Sequence, residues 1–376
     1  MNFSKFIIPA VLSVACFSSA KTPAADRFMP FVERQQLPGI VVAVADREKM
    51  LSMEAVGYAD IETKTPVKTD SVFWIASQTK VITGAALMIL WDEGKIRLDD
   101  PVEKFLPEFK NMTIQITNND GTYEFKPPAR PITIRDLMLH VSGLSDPYDV
   151  KNIPLAEIVA EYATLPLKFE PGTKFEYSNP GINTLGRIVE VAAGEPFSDF
   201  LQKRIFDPLG MKDTTFWPAG ELAERRAKAY QLPNERNGNQ FIQRKNYYTF
   251  SELGDRSRPP FPAGGLFSTA EDIARFYQML LNDGKSGGEQ ILSDASVKEM
   301  TRKQDPTGVS DRGVTLVVAG DGDGYGHGGA FGTHTWAIPS KGIIRMVLVQ
   351  IVGEWPERDA IIKEFDQFVN DVIEAQ

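Results

Sequence analysis

Residues 74–95 read WIASQTKVITGAALMILWDEGK, in which Ser77 and Lys80 lie three apart just before an apolar helical run. In a first helical turn this spacing places both side chains on one face, within reach of each other. A serine hydroxyl becomes a nucleophile when a base takes its proton, and a lysine can do so when burial lowers its pKa. The positive end of the helix dipole also favours negative charge developing there. The pair alone is a weak signal, because Ser-x-x-Lys occurs by chance in many helices.

The composition is that of an ordinary globular protein. The chain has 376 residues, 42% of them hydrophobic and 24% charged, with a formal net charge of −9. This length predicts one large domain or two packed ones. Lysine and arginine form no stripe, so the charge pattern argues against nucleic acid or an anionic membrane surface as a partner.

The first twenty residues are typical of a secretory signal peptide. Lys5 supplies the positive start, residues 6–16 are apolar, and Ser18 and Ala20 are small residues before the cleavage point. We therefore expect an exported protein, periplasmic or extracellular, with no transmembrane anchor in the mature chain. A buried N-terminal helix is the alternative interpretation.

Cys16 is the only cysteine and lies within this predicted leader. The mature chain would then contain no disulfide, no thiol nucleophile and no cysteine-based zinc site. Ala15-Cys16 is a weak lipoprotein signal, since Ser13 stands where a larger aliphatic residue is usual.

Strand patterns lie at both ends of the chain and helical patterns in the middle. A helix is predicted over 24–36, a hairpin follows over 39–60, and three further strands lie within 313–353 before a closing amphipathic helix. The simplest architecture is α+β, an antiparallel sheet flanked by N- and C-terminal helices, with a large helical insertion. We assign 1–20 to the signal peptide, 21–75 and 291–376 to the sheet domain, and 76–290 to a mostly helical domain.

Several helix boundaries can be predicted from capping residues. A helix is expected to begin after Thr133, another at Ser178 or Asn179 and to end at Gly194, and a third after Ser268 or Thr269. The long helix after Ser77 presents an apolar face and ends at Gly94. The segment 113–125 contains an Asp-Gly turn and predicts a hairpin.

Three glycine-rich matches lack the structural context that their motifs require. GKSGG at 284–288 follows a helix rather than a strand, GYGHGG at 324–329 precedes a strand rather than a helix, and DGDGYG at 321–326 lacks the calcium ligands. We interpret the first as a surface loop and the third as a tight turn between strands, and we reject the second as a dinucleotide motif. The histidines form no zinc motif, so neither a metal nor a cofactor is expected, and His140 is interpreted as a packing residue.

Two further elements carry polar groups suited to a reactive site. Tyr177 and Asn179 lie in FEYSNPG at a loop-to-helix junction, where a phenol and an amide can point to one place. His327 precedes Gly328 and Gly329 in a predicted strand, where glycines let a ligand approach the backbone.

With these elements in view, the chain resembles a known superfamily. Ser77-Gln78-Thr79-Lys80, Tyr177-Ser178-Asn179 and His327-Gly328-Gly329 occur in the order of the class C β-lactamase-like serine hydrolases. That superfamily includes class C β-lactamases, DD-peptidases (penicillin-binding proteins) and β-lactamase-like esterases. TIRDLMLHVSGL, FEPGTKFEYSN, IFDPLGMKDT and PAGGLFSTAEDIARF also resemble its characteristic segments, and the resemblance extends over about residues 25–352.

The resemblance implies a β-lactamase/transpeptidase-like fold with the active site at the junction of the two domains. Ser77 would form an acyl-enzyme, and Lys80 and Tyr177 would share the proton transfers, with the identity of the base left open. Asn179 would hold Lys80 and a polar group of the substrate. The oxyanion would be bound by the backbone N–H groups of Ser77 and Ala330, and water would release the acyl group.

One position departs from the superfamily's pattern. β-Lactamases and DD-peptidases usually carry a lysine where this chain has His327, and a small polar residue where it has Gly328. Because histidine is mostly neutral at pH 7, an uncharged ester, amide or lactone is favoured over a substrate carboxylate. We also expect protonation of His327 to tune the site near neutrality.

The function predicted is an exported serine hydrolase, an esterase or amidase. The alternatives are a true β-lactamase or D-Ala-D-Ala carboxypeptidase, a non-catalytic peptidoglycan- or partner-binding protein, and a metal-dependent hydrolase. The natural substrate is not predictable, because the loops 144–153 and 231–262 set the walls of the acyl pocket. Tyr247, Tyr248 and Phe250 are candidates for that pocket, with ordinary packing under a long loop as the alternative.

Overall fold

The computed structural model describes residues 22–147, 152–231, 241–243, 253–353 and 355–376. The expected leader, with Cys16, and the pocket candidates Tyr247, Tyr248 and Phe250 lie outside the described residues. Across the described ranges, no helix combines the length and apolar character needed to cross a membrane.

Sixteen strands are found in the described residues, several of only two residues. They are β1 (Gly39–Ala45), β2 (Met50–Asp60), β3 (Thr65–Pro66), β4 (Phe73–Trp74), β5 (Ile114–Thr117), β6 (Tyr123–Lys126), β7 (Tyr230–Gln231), β8 (Ile242–Gln243), β9 (Phe267–Ser268), β10 (Lys285–Ser286), β11 (Glu289–Gln290), β12 (Val317–Val318), β13 (Tyr325–Gly328), β14 (His334–Ile338), β15 (Ile343–Leu348) and β16 (Ile351–Val352).

The same ranges contain eleven α-helices. They are α1 (Ala24–Glu33), α2 (Thr79–Asp92), α3 (Ile134–Met138), α4 (Leu155–Ala163), α5 (Asn179–Ala193), α6 (Phe197–Leu201), α7 (Asp207–Leu209), α8 (Glu221–Glu224), α9 (Ala270–Leu281), α10 (Asp294–Thr301) and α11 (Arg358–Glu374). Short 3₁₀ helices lie at Ala76–Gln78, Val102–Lys104, Pro107–Asn111 and Pro339–Lys341, and a π-helix at Gln202–Phe206.

The main sheet has seven strands in the order β12-β13-β14-β15-β1-β2-β3. All of its pairings are antiparallel, and β1 near the N-terminus pairs directly with β15 near the C-terminus. The prediction of an α+β fold whose sheet is built from both chain ends is therefore confirmed. The division into domains at 75/76 and 290/291 stays a prediction.

Alternation along β1 sends its side chains to two apolar clusters. Ile40, Val42 and Val44 pack with α1 and α11, whereas Val41 and Ala43 join the larger cluster that includes α2 and α9. Since side chains on a strand alternate between faces, one strand contributes to both layers. The helices flanking the sheet are those expected near the two chain termini.

Helix α2 is buried on all sides, so the predicted apolar face is buried together with the rest of its surface. Twelve of its fourteen residues are buried, including Thr83 and Lys80. In a helix enclosed on every side, the polar side chains are expected to form hydrogen bonds with groups inside the protein. Thr83 Oγ1 donates to the carbonyl of Pro262 at 2.8 Å. The predicted end at Gly94 is confirmed by its left-handed φ of 68°.

The capping predictions are confirmed. Thr133 and Asp136 form a reciprocal capping box at α3, and Thr269 accepts the Asp272 N–H at the start of α9. Ser178 caps α5, which ends at the left-handed Gly194. The hairpin predicted within 113–125 forms from β5 and β6.

Two predicted elements are shorter than expected. The first helix ends at Glu33 rather than Gln36, because Gln35 has a φ of 56°, outside the helical region. The strand predicted over 313–320 is reduced to β12, because Thr315 has a φ of 57°. Residues 311–316 therefore form a loop that approaches the site described below.

The rejected motifs lack the structural contexts that their functions require. GKSGG lies in the hairpin of β10 and β11, and no strand-to-helix elbow forms there. GYGHGG spans β13, which pairs with the next strand β14 rather than leading into a helix. Neither segment offers the helix N-terminus that a nucleotide phosphate would need.

Candidate active site

Ser77 lies in the 3₁₀ turn that leads into α2. The preceding residue, Ala76, has a φ of 47°, a conformation that costs energy for a residue with a side chain. Thr79 holds this turn, since its hydroxyl donates to the Ala76 carbonyl at 2.6 Å and accepts the Leu266 N–H at 3.2 Å. These two hydrogen bonds hold the strained turn in place, with Ser77 at the N-terminal end of a fourteen-residue helix.

Lys80 is completely buried beneath Ser77. Its Nζ lies 3.2 Å from Ser77 Oγ, 2.8 Å from Asn179 Oδ1 and 2.5 Å from the carbonyl oxygen of Ala263. Burial, and secondarily the positive charge of Arg312, lower the pKa of Lys80 well below its usual value. The sequence prediction that these two side chains contact each other is confirmed.

Asn179 reaches Lys80 because of the way that α5 begins. The hydroxyl of Ser178 caps the helix by accepting the Gly181 N–H at 3.0 Å. This cap leaves Asn179 as the first helical residue, where its side chain takes no part in the hydrogen bonds of the helix backbone. The side chain is thus directed to the lysine, ninety-nine residues away in the sequence.

The Tyr177 ring lies close to two basic side chains. Lys80 Nζ is 4.7 Å and Arg312 Cζ is 5.4 Å from the ring centroid. Burial of the hydroxyl raises the pKa of Tyr177, while a hydrogen bond with Ser77 and the charge of Arg312 act against that rise. The net effect is a raised pKa, so the phenol is protonated at neutral pH, although 40% of the residue is exposed.

Strand β13 ends beside the Ser77 turn. The Gly329 N–H donates to the Thr333 carbonyl at 2.7 Å, and a Cβ on Gly329 would lie only 2.4 Å from the carbonyl oxygen of Ile75. Glycine at 329 therefore permits this close approach. Gly328 meets no such obstacle, since its Cβ would be 3.4 Å from its nearest neighbour.

His327 is buried and neutral in this structure. Its Nδ1–H donates to the Gly328 carbonyl at 2.6 Å, and its Nε2 accepts from Arg312 Nη1 at 3.2 Å. Burial, followed by the charges of Lys80 and Arg312, lowers the pKa of His327 to about 3. The expectation that His327 titrates near neutrality is therefore wrong, and both of its ring nitrogens are engaged by groups other than a metal.

Arg312 is a site residue that the sequence analysis missed. Its guanidinium contacts His327 and lies over the rings of Tyr177 and Phe175, at 5.4 and 5.8 Å from their centroids. The site thus keeps a permanent positive charge, whereas the replacement of the usual lysine by His327 predicted a mostly uncharged site. A lone arginine in a loop belongs to no motif, so only the tertiary structure identifies it.

His140, interpreted from sequence as a packing residue, lies against Tyr177. The residue is fully buried, and the two rings are stacked at 4.6 Å between centroids. Burial, and secondarily the charge of Arg312, lower its pKa well below the usual value. Its place at the site was missed because its neighbours in the sequence are apolar.

A cavity of about 190 Å³ opens beside Ser77. Ser77 and Ala330, the two residues expected to bind an oxyanion through their N–H groups, both line it. Its other walls are mainly apolar, with Trp74, Phe261 and Phe331 among them. The cavity therefore provides space for an acyl group next to the serine.

Comparisons with known proteins agree with this geometry. A family model described as Beta-lactamase matches residues 24–367. Protein Rv1367c of Mycobacterium tuberculosis is 35% identical over 280 residues, 70% of this chain and 67% of that protein. Lovastatin esterase of Penicillium rubens is 32% identical over 293 residues, 73% of this chain and 70% of that protein.

The fold is shared with solved structures. EstCE1, described as a hydrolase with promiscuous acyltransferase activity, superposes with a TM-score of 0.75 over 92% of this chain and 97% of that one, at 22% identity. At that identity the likeness shows the fold alone. It confirms the predicted β-lactamase/transpeptidase-like architecture. With the family match over most of its length, the chain belongs to the β-lactamase family of serine hydrolases.

Proposed function

We propose that this protein is an exported hydrolase that cleaves an ester or amide through an acyl-enzyme on Ser77. The observation that carries the proposal is the set of three contacts made by Lys80 Nζ, to Ser77, Asn179 and Ala263. A fully buried amine with a lowered pKa beside a serine hydroxyl is the arrangement that nucleophilic catalysis needs.

The contacts of Lys80 allow it to act as a base when it is neutral. Two N–H groups can donate to the oxygens of Asn179 and Ala263, which directs the nitrogen lone pair toward Ser77. Tyr177 is protonated at neutral pH, because its pKa is raised. We assign Lys80 as the base that activates Ser77, because burial lowers its pKa, and Tyr177 as a proton donor, because its pKa is raised.

The reaction then proceeds in two half-reactions. Ser77 Oγ attacks the carbonyl carbon while its proton passes to Lys80, and the N–H groups of Ser77 and Ala330 stabilise the oxyanion. Tyr177 gives its proton to the leaving oxygen or nitrogen and recovers one from Lys80. Water next attacks the acyl-enzyme and loses a proton to the same pair, which returns it to Ser77 Oγ as the bond to the acyl carbon breaks and the acid is released.

An ester or uncharged amide is the substrate class that we favour. The apolar cavity beside Ser77 suits an acyl group, and the lovastatin esterase is a relative named for ester cleavage. A D-Ala-D-Ala carboxypeptidase or β-lactamase is the second candidate, and Arg312 is the observation that supports it. A guanidinium next to His327 can bind a substrate carboxylate, the role for which His327 alone is unsuited.

The test compares ester and penicillin as substrates of the full-length protein. We expect hydrolysis of p-nitrophenyl acetate and its loss in Ser77→Ala, with a much lower rate on benzylpenicillin. Preferred cleavage of benzylpenicillin or of a D-Ala-D-Ala peptide would establish the second candidate. A Ser77→Ala variant with undiminished activity would contradict the serine mechanism.

Export is part of the proposal and rests on the leader sequence. If residues 1–20 are a signal peptide, the protein recovered outside the cytoplasm should begin at Lys21. Its intact mass, measured by mass spectrometry, distinguishes this outcome from the full chain. A lipid-modified Cys16 would indicate the lipoprotein alternative.

A further inference from the structure

His140 lies behind Tyr177 and takes no part in the proton transfers described above. Three contacts connect it with the segment that carries Tyr177. Its carbonyl accepts the Glu176 N–H at 2.9 Å, its Nδ1 accepts the Ser178 N–H at 3.1 Å, and its ring stacks on the Tyr177 ring with 28° between planes. The backbone N–H groups of the two residues that flank Tyr177 are therefore bonded to one residue.

The conformation of His140 makes this arrangement possible. Its φ is 61°, in the left-handed region that residues with side chains seldom adopt. Strain of this kind persists only where surrounding contacts enforce it, and it is common at functional sites. Its carbonyl and its ring both reach the Tyr177 segment from this conformation.

The protonation of His140 is also fixed by its surroundings. Because Nδ1 accepts from Ser178, the neutral ring must carry its proton on Nε2. Nε2 has no hydrogen-bond partner among the described residues. The titratable groups that act on the ring are Arg312, Lys80 and His327, and a positive charge on His140 would be repelled by the guanidinium of Arg312.

We propose that His140 is a positioning residue, whose Nδ1 bond to the Ser178 N–H holds the Tyr177 hydroxyl over Ser77. The inference rests on the proposed function, in which Tyr177 donates a proton. Without the bond, the loop that precedes α5 can shift, and a displacement of about 1 Å at a reacting group can cost on the order of 100-fold in rate. The loss should fall on kcat, because the acyl cavity does not include His140.

The experiment uses two variants that tolerate the left-handed backbone. His140→Asn retains an acceptor close to the Nδ1 position, and asparagine is among the residues that adopt this conformation most readily. His140→Gly tolerates the backbone conformation but removes the acceptor. On ethyl butyrate, an ester whose alkoxide leaving group needs a proton, we expect the Asn variant to keep kcat within about tenfold of wild type, and the Gly variant to lose about 100-fold with little change in KM.

A double-mutant cycle separates positioning from a general loss of structure. If His140 acts through Tyr177, then His140→Gly combined with Tyr177→Phe should be no slower than Tyr177→Phe alone. Losses that multiply, or a Gly variant with wild-type kcat, would overturn the proposal. Should the Gly variant fail to fold, a folded Asn variant that loses 100-fold in kcat would overturn it equally.

The same set of variants distinguishes this proposal from the proposed function. A fully active Tyr177→Phe would refute the role of Tyr177 as proton donor. A slow Tyr177→Phe together with a fast His140→Gly would refute only the role of His140. Thermal unfolding of each variant, followed by circular dichroism, identifies those that retain the fold.

Discussion

Replacing Arg312 by glutamine should move the pH dependence of the reaction in a defined direction. Arg312 and Lys80 lie over the same Tyr177 ring, at 5.4 and 4.7 Å from its centroid, so that their charges are separated by about 10 Å at most. The guanidinium disfavours the protonated form of Lys80 and thereby contributes to its lowered pKa. Removing it must therefore raise the pKa of Lys80.

The magnitude follows from this separation. Two unit charges about 10 Å apart at an effective dielectric constant of about 20 repel each other by about 1.7 kcal/mol, which corresponds to roughly one pKa unit. Because Arg312 is only partly buried, screening by solvent reduces this figure somewhat. We expect the acid limb of kcat/KM to move upward by about 0.5 to 1 pH unit in Arg312→Gln.

The assay is the pH–rate profile of kcat/KM for p-nitrophenyl acetate, an uncharged substrate that needs no guanidinium for binding. Arg345→Gln is the matched control, since Arg345 also lies over an aromatic ring, 4.8 Å from the centroid of Phe365 in the outer layer. Its profile should coincide with that of wild type. An acid limb that is unchanged in Arg312→Gln, or that moves downward, would refute Lys80 as the base.

Two further predictions concern the buried histidines and the end of β13. The pKa values of His327 and His334 are lowered to about 3 and about 4 by burial, so the unfolded chain takes up protons first as the pH falls. Stability should therefore be lost from pH 6.5 downward, for His334 alone by about 2 kcal/mol at pH 5 and about 3 kcal/mol once the pH is below 4. Urea unfolding at pH 7.5 and 5 should show the decline, and equal free energies of unfolding at both pH values would contradict it. Gly329→Ala should lower kcat/KM at least tenfold, because its Cβ would clash with a backbone carbonyl, whereas Gly328→Ala should have a smaller effect. Equal effects in the two variants would refute the close approach as the reason for glycine at 329.

The sequence predicts well those features that depend on local chemistry. Helix caps such as Ser178 and Thr269 can be identified because a hydroxyl at a helix start accepts a backbone N–H of the first turn. Ser77 and Lys80 were paired by helical spacing alone, and the structure places them in contact. Local rules suffice in these cases because the interacting groups are close together in the chain.

What the sequence could not predict depends on tertiary contacts between distant segments. Arg312 is 135 residues from Tyr177 and reaches it because Thr315 breaks the expected strand and forms a loop. The pKa of His327 is set by two cations from other segments, and a sequence offers only its unperturbed value. His140 has the apolar sequence neighbours of a core residue, since it is fully buried although it lies against Tyr177 at the site.

The most direct test of the central claim is covalent labelling of Ser77. Incubation of the protein with a fluorophosphonate probe, followed by peptide mapping with mass spectrometry, should locate a single adduct on Ser77. The labelling rate should fall at least 100-fold in Lys80→Met, because no base then accepts the hydroxyl proton, and should be unchanged in the exposed control Lys341→Met. An adduct on another residue, or equal labelling of wild type and Lys80→Met, would contradict the account.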